Sequence, residues 1–101
     1  MRRDQPIPLD DMNLFFLSVF RNKKGEIEKY SIDIEKASDS HYELSNSGMK
    51  RMENYLKNKF QKQDLIDGLK EFLRTNNESD LINLLDSLEI DYNQYHFDDY
   101  D

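Results

Sequence analysis

The fold is decided by residues 14–34, which read LFFLSVFRNKKGEIEKYSIDI. The first seven residues are apolar except for one serine, which is typical of a strand buried on both faces. The last five alternate apolar with polar residues, which is the pattern of a half-buried strand. The polar linker between them contains Gly25, as hairpin turns often do. We therefore predict an antiparallel β-hairpin that pairs residues 13–20 with residues 26–34.

An amphipathic helix over residues 10–21 is the main alternative for the first apolar run, with Asp10 or Asp11 as its N-cap. Upstream, residues 1–11 contain two prolines, which favour extended backbone at the positions before them. We expect these residues to form a flexible or loosely docked arm, with Leu9 as its contact to the core.

Three apolar stripes at helical spacing follow, and they begin near Met49, Leu65 and Leu81. Each predicts an amphipathic helix. Ser45 or Ser47 is a suitable N-cap for the first helix, and Asn77 is a suitable N-cap for the third. The connection between the second and third helices is short, which predicts that they are antiparallel neighbours.

Two further segments have weaker patterns. Residues 35–47 have loop composition, within which 41–44 could add a short strand. Residues 91–101 mix aromatic residues with aspartates and could form an edge strand or a disordered tail. We predict one α+β domain over residues 12–90, in which the N-terminal hairpin packs on three short α-helices. An all-α small bundle is the alternative.

The charge of the chain is divided unevenly. All 14 Lys and Arg lie at or before Arg74, whereas residues 75–101 contain eight of the 21 Asp and Glu and no base. The net charge of −7 therefore arises in the last quarter of the chain. Such asymmetry indicates an acidic surface or tail that interacts with a partner.

No constellation of residues indicates catalysis. The chain has no cysteine, so disulfides, thiolate metal sites and a cysteine nucleophile are excluded, and it has only two histidines. His96 with Asp98 and Asp99, or His41 with Asp39, makes a poor metal site, and we read these side chains as exposed polar groups. Three glycines leave no phosphate-binding loop,. We predict that the protein is not an enzyme and uses no cofactor or metal.

A run of basic residues on the first helix, from Lys50 to Lys62, is the feature that could bind nucleic acid. Lys50, Asn54, Lys57 and Gln61 should face away from the apolar stripe. However, the negative net charge opposes approach to DNA or RNA, so we expect a solvated helix face instead.

The acidic-aromatic end suggests a different partner. Aspartates supply negative potential, and tyrosines supply large contact areas that are favoured at interfaces. We expect a small acidic inhibitor of the immunity-protein or antitoxin type, bacterial or phage, that occludes the site of a basic toxin or nuclease. Alternatives are a nucleic-acid-binding or transcriptional accessory protein and an adaptor subunit of a complex. The predicted contacts are Asp86, Glu89, Asp91, Tyr92, Tyr95, Phe97, Asp98, Asp99 and Tyr100.

The location follows from what the sequence does not contain. No run approaches the ~20 apolar residues that span a bilayer, and no signal-peptide pattern follows the two N-terminal arginines. The lack of cysteine favours a reducing compartment. We expect a cytoplasmic protein without membrane contact.

Overall fold

The computed structural model describes residues 2–35, 40–61 and 64–96. Within these ranges, six strands form one antiparallel sheet and three helices pack on one of its faces. The predicted α+β class is confirmed, and the all-α alternative is wrong. The elements in chain order are β1 (Arg2–Arg3), β2 (Ile7–Pro8), β3 (Phe15–Arg21), β4 (Ile27–Ile34), β5 (Ser40–Ser45), α1 (Asn46–Phe60), α2 (Leu65–Leu73), α3 (Glu78–Ser87) and β6 (Tyr92–His96).

The predicted hairpin is the β3–β4 pair, in register from Phe15 opposite Ile34, with a register shift near Arg21. Its turn is closed by Asn22, whose side-chain Oδ1 accepts hydrogen bonds from two backbone N–H groups of the turn, at 2.9 and 3.0 Å. Gly25 adopts a left-handed conformation with φ of 85°, which glycine reaches without steric cost. The alternative helix over residues 10–21 is therefore wrong.

The segment predicted as a loose arm, residues 1–11, lies along β3 from Arg2 onward. Both β1 and β2 pair with β3 on the edge that β4 leaves open. Leu9 continues this docking, because its N–H donates to the Phe15 carbonyl and its side chain is buried in the core. The prolines do not prevent this pairing, because Pro6 lies between β1 and β2, and Pro8 lies in an edge strand, where a missing N–H is tolerated,.

The sheet continues on the other side of the hairpin. β5 pairs with β4, and β6 returns after the three helices to pair with β5. The short strand considered at 41–44 is real and spans Ser40–Ser45, within a region whose composition indicated a loop. Of the two options for residues 91–101, the edge strand is confirmed for residues 92–96, and residues 97–101 lie outside the described part.

All three helices begin at side chains that accept backbone hydrogen bonds. Ser45 caps α1 by accepting from the Gly48 N–H. Asp64 caps α2, and Asn77 caps α3 in a reciprocal capping box with Asp80. These caps satisfy backbone donors that a helix cannot pair by itself. The predicted caps of α1 and α3 are thus confirmed, with Ser45 chosen over Ser47.

The most extensive helix–helix contact is that of α1 with α2, whereas α2 and α3, which we predicted to be antiparallel neighbours, make little contact with each other. Gly68 permits this approach, because a Cβ at that position would lie 2.8 Å from the Leu56 Cβ. Its packing role shows why a helix interior retains it despite a penalty of about 1 kcal/mol.

Strand register assigns each sheet residue to one of two faces. The helix-covered face carries the apolar residues of β3, β4 and β5, including Leu17, Ile32 and Tyr42, which pack with the helices in one core. The helix-free face carries the alternate residues, among them Ser18, Ser31 and Asp33. In the described part of the chain, no helix is both long and apolar enough to cross a membrane.

Candidate protein-binding surface

Three predicted contact residues lie in the segment where α3 ends and β6 begins. Asp86, Glu89 and Asp91, here called the acidic cluster, are all solvent-exposed. None of these carboxylates forms an ion pair within the described ranges. The acidic cluster is therefore a solvated patch of negative charge.

The path of the backbone fixes the position of the acidic cluster. Glu89 adopts a left-handed conformation with φ of 56°. The Ile90 N–H donates to the Leu85 carbonyl, and the Glu89 N–H donates to the Asp86 carbonyl. This is the Schellman arrangement that ends many helices, although its left-handed position usually holds glycine. A glutamate there directs a carboxylate into solvent at the cost of local backbone strain.

The acidic cluster also lies at an unfavourable end of α3. A helix C-terminus carries a partial negative charge, so carboxylates there are repelled and cations are favoured. The last turn of α3 contains no base. One cation reaches this end from α1, since Arg51 Nη1 donates to the carbonyls of Leu88 and Glu89 at 3.3 and 2.9 Å. The acids thus lie in the unfavourable field at this end of the helix,.

β6 leads away from the acidic cluster along the sheet edge, and Tyr42 holds it in place. The ring of Tyr92 packs edge-on against Tyr42 with centroids 5.7 Å apart. The Gln94 amide donates to the Tyr42 hydroxyl at 3.2 Å, and that hydroxyl donates to the Glu78 carboxylate. Burial, followed by the hydrogen bond and charge of Glu78, raises the pKa of Tyr42 above its usual range. Tyr42 therefore stays protonated and remains a donor at neutral pH.

These contacts separate the predicted site residues into groups. Tyr92 is half-buried and belongs to the core layer. Tyr95 contributes its backbone to β6, opposite His41. Phe97, Asp98, Asp99 and Tyr100 lie outside the described residues. The acidic cluster and His96 mark opposite ends of a strand that spans about 13 Å, at ~3.3 Å per residue.

Sequence reasoning missed a polar cluster on the helix-free face. Asp33 accepts from the Ser18 hydroxyl and from the Ser31 hydroxyl, each at 2.6 Å. His41 Nδ1 lies 2.7 Å from Asp33 Oδ1, where a ring N–H donates to the carboxylate,. We call these four residues the Asp33 cluster. His41 is therefore a half-buried partner of Asp33 and not the exposed polar side chain that we expected.

The chemistry of the Asp33 cluster differs from that of a nucleophile. In serine catalysis the hydroxyl donates to a histidine that acts as base. Here both hydroxyls donate to the carboxylate, and Ser18, Ser31 and Asp33 are 0%, 2% and 5% exposed. The cluster therefore joins β3, β4 and β5 by side-chain hydrogen bonds. In the sequence, the alternation of residues 30–34 predicted which face of the sheet each residue occupies. It did not predict that the polar residues would be buried.

The basic face of α1 is partly engaged within the molecule. Lys50, Asn54, Lys57 and Gln61 are exposed, as predicted. Arg51, however, is bound to the end of α3, and the Lys59 ammonium lies 5.8 and 5.9 Å from the ring centroids of Tyr55 and Phe60. Lys62 lies outside the described residues. The described part of this face thus presents isolated lysines.

A metal site is a separate question. Among the described residues, no group of three or more metal-ligating side chains occurs.

Comparisons with known proteins identify no relative of this chain. Family models, curated proteins and solved structures were all searched, and none of them matches the chain. The functional argument therefore depends on the geometry and charge of the described residues.

Proposed function

We propose that this protein is a small inhibitor that binds a basic protein and blocks its nucleic-acid-processing site, as an immunity protein or antitoxin does. The proposal includes a cytoplasmic location in a bacterium or in a phage-infected cell. The absence of cysteine from the chain is consistent with that location,.

The acidic cluster is the observation that carries this proposal. Asp86, Glu89 and Asp91 project from the negative end of α3, where their charges oppose the helix dipole,. Local rules of stability are commonly broken at functional sites. A surface of exposed carboxylates resembles a row of phosphates in charge, and it is therefore complementary to a groove that binds nucleic acid.

The partner contact would extend from the acidic cluster along β6. Charged groups would accelerate encounter, because opposite potentials steer diffusion. Tyr92, with one side packed on Tyr42, would supply a rigid aromatic surface at low entropic cost,. Tyr95, Phe97, Asp98, Asp99 and Tyr100 stay predicted contacts.

The test uses affinity capture from the native host, followed by an assay of the captured activity. The triple variant D86N/E89Q/D91N removes the charge of the acidic cluster while keeping side-chain size. The matched control D11N/E26Q/D67N removes the same charge from three exposed acids elsewhere. We expect the first variant to bind and inhibit at least tenfold more weakly at low salt, and the control to remain within about twofold of wild type.

A truncation after His96 separates the contribution of the last five residues. This position leaves β6 intact, whereas truncation after Ile90 would remove a strand of the sheet. If the triple variant captures and inhibits the same partner as wild type, the acidic cluster is not the binding surface. If no basic protein is recovered by the wild type, the inhibitor proposal is wrong.

The alternative of nucleic-acid binding depends on Lys50 and Lys57, which are exposed on α1. It predicts an affinity for DNA or RNA that falls steeply with salt and is lost in K50Q/K57Q. A titration that shows no binding would remove it. The adaptor alternative predicts a captured partner whose activity is unchanged by binding.

A further inference from the structure

The turn of the β3–β4 hairpin and the adjoining β1 form a positively charged corner of the sheet. Arg2 in β1 lies opposite Arg21 in β3, next to the turn. Like charges directly opposite each other in a sheet are unfavourable. A cavity of about 460 Å³ opens at this corner, and we name it the tip cavity. Its lining among the described residues contains three cations and no carboxylate, and consists of Arg2, Asn22, Lys23, Lys24 and Gly25.

The charges of the tip cavity are only partly compensated within the molecule. The Asp4 carboxylate binds Arg21, with 2.8 Å between Oδ2 and Nε, and its other oxygen lies 3.8 Å from Arg2 Nε. The Arg2 side chain nevertheless remains 71% exposed. Within the described ranges, Lys23 and Lys24 form no ion pair. Because these cations repel one another, an anion in the cavity would relieve an unfavourable interaction.

The backbone that carries the two lysines is ordered by hydrogen bonds within the turn. Asn22 Oδ1 accepts from the N–H groups of Lys24 and Glu26, at 2.9 and 3.0 Å. The Asn22 amide donates to the Glu26 carboxylate at 3.0 Å, which directs this acid to the turn itself. Arg21 Nη1 donates to the Gly25 carbonyl at 2.9 Å. A site whose backbone is already ordered binds a ligand at a smaller entropic cost.

The lining of the tip cavity indicates the class of ligand. Most small-molecule sites are lined by apolar and aromatic side chains, and none occurs among the described lining residues,. A nucleobase therefore finds no stacking surface in the cavity. Arginine binds phosphate through two parallel hydrogen bonds, and lysine binds it as a point charge. Three cations together match several singly charged phosphodiesters.

We propose that the tip cavity binds successive phosphates of a nucleic-acid strand and does not read the base sequence. This inference goes beyond the proposed function and does not depend on it, because the acidic cluster lies at the other edge of the sheet. The strand order places β1 and β6 four strand spacings apart, about 19 Å at ~4.8 Å each,. This separation exceeds the Debye length of ~8 Å at physiological salt, so the acidic cluster only weakly opposes binding at the tip cavity.

The tip cavity is also remote from the acids in the gaps of the described chain. Among these gaps, only 36–39 and 97–101 contain acids. They adjoin Glu35, Ser40 and His96, and the register places Ser40 and His96 in one row with Phe15. Arg21, next to the cavity, is six residues from Phe15 along β3, which is about 20 Å at ~3.3 Å per residue. The tip cavity thus lies at the end of the sheet opposite those gaps.

The experiment compares three probes on the full chain. The first is a single-stranded oligothymidylate, and the second is a peptide nucleic acid with the same bases and a neutral backbone. The third is inorganic tripolyphosphate, which carries the phosphate chemistry without a nucleic acid. Fluorescence anisotropy of the labelled oligomers measures affinity as a function of salt, and amide chemical shifts in ¹⁵N-labelled protein locate each probe.

Three variants test the cations that line the tip cavity. R2Q/K23Q/K24Q removes their charge, and R2K/K23R/K24R keeps the charge while it exchanges the side chains. The matched control K50Q/K57Q/K70Q removes three exposed lysines from α1 and α2. Circular dichroism and urea unfolding establish that each variant is folded before its affinity is compared.

We expect the oligothymidylate to shift the amides of residues 22–26 and to bind the wild type at low salt. The logarithm of its affinity should fall against the logarithm of salt concentration with a slope of about −2, from ~0.7 for each of three phosphate contacts. R2Q/K23Q/K24Q should bind at least tenfold more weakly, with a slope near zero. R2K/K23R/K24R and the control should remain within about threefold of wild type, and the neutral oligomer should not bind.

Four outcomes would overturn the proposal. These are equal binding of the neutral oligomer, shifts that avoid the turn, no binding of the oligothymidylate at low salt, and loss of affinity in K50Q/K57Q/K70Q but not in R2Q/K23Q/K24Q. Binding of tripolyphosphate without binding of the oligothymidylate would assign the cavity to a small polyanion instead. The proposed function is tested by a different result, because R2Q/K23Q/K24Q should capture and inhibit the basic partner as the wild type does.

Discussion

The two faces of the sheet are both buried near their centre, but by different interactions. On the helix-covered face, Leu17, Ile32 and Tyr42 pack against helices that exclude water. On the helix-free face, Ser18, Ser31 and Asp33 are buried just as deeply while bonding to one another. The same strands therefore combine dispersion and hydrophobic burial on one side with a hydrogen-bonded cluster on the other.

This difference teaches that burial and apolarity are separate properties of a sheet face. Apolar contacts contribute stability without directional constraint. A buried polar cluster contributes less net stability, because each bond replaces one made with water. It does, however, penalise any register in which the carboxylate loses its donors. We therefore expect the covered face to supply most of the free energy of unfolding and the other face to specify the pairing of β3, β4 and β5.

The largest expected change in stability is that caused by Ile32→Ala, a substitution on the helix-covered face. Ile32 is fully buried and lies between Leu17 and Tyr42 in the register. Truncation removes apolar contacts and leaves a cavity, so the free energy of unfolding should fall by about 4 kcal/mol. Urea unfolding followed by circular dichroism measures this change. The exposed Glu28→Ala on the same strand is the control and should change stability by less than ~0.5 kcal/mol.

A smaller effect is expected for Asp33→Ala on the helix-free face. Removal of the carboxylate leaves two buried hydroxyls and the His41 ring without this acceptor. The free energy of unfolding should fall by about 2 kcal/mol, because unpaired buried donors are costly. Asp33→Asn keeps one acceptor and should lose less. A variant D33A that is as stable as wild type would contradict the assigned role of the cluster.

The smallest expected effect concerns α3, which reaches the covered face through the hydrogen bond between Tyr42 and Glu78. Asp86→Asn removes a charge from the negative end of this helix and should raise the free energy of unfolding by about 0.5 kcal/mol at low salt. Asp80→Asn, at the other end, should lower it, because it removes a negative charge from the first turn, at the positive end of the helix dipole,. Shifts of the same sign in both variants would show that the helix dipole is not the cause.

Sequence patterns predicted those elements whose signals are local. The alternation at residues 30–34 and the polar turn at Asn22–Gly25 identified the hairpin, and Asn77 marked the start of α3. Helical stripes with suitable caps need no information from distant residues. The α+β class followed from these elements.

The features that the sequence did not predict depend on contacts between residues that are distant in the chain. The docking of residues 2–9 on β3 requires a partner strand that the arm's own sequence does not reveal. The burial of Asp33 depends on His41 in β5, across a loop. Likewise, the predicted contacts are close together in the sequence, but the strand geometry separates the acidic cluster from His96 and places Tyr92 in the core layer.

The position of the helices between β5 and β6 has a consequence for synthesis on the ribosome. After β5 emerges, residues 46–91 must be translated before β6 can pair with it. At ~5–20 residues per second, this interval lasts on the order of seconds. Pairing across such a separation is also slow relative to local helix formation. During this interval the nascent chain presents β5 as its outermost strand, and the final edge of the sheet forms only when β6 arrives.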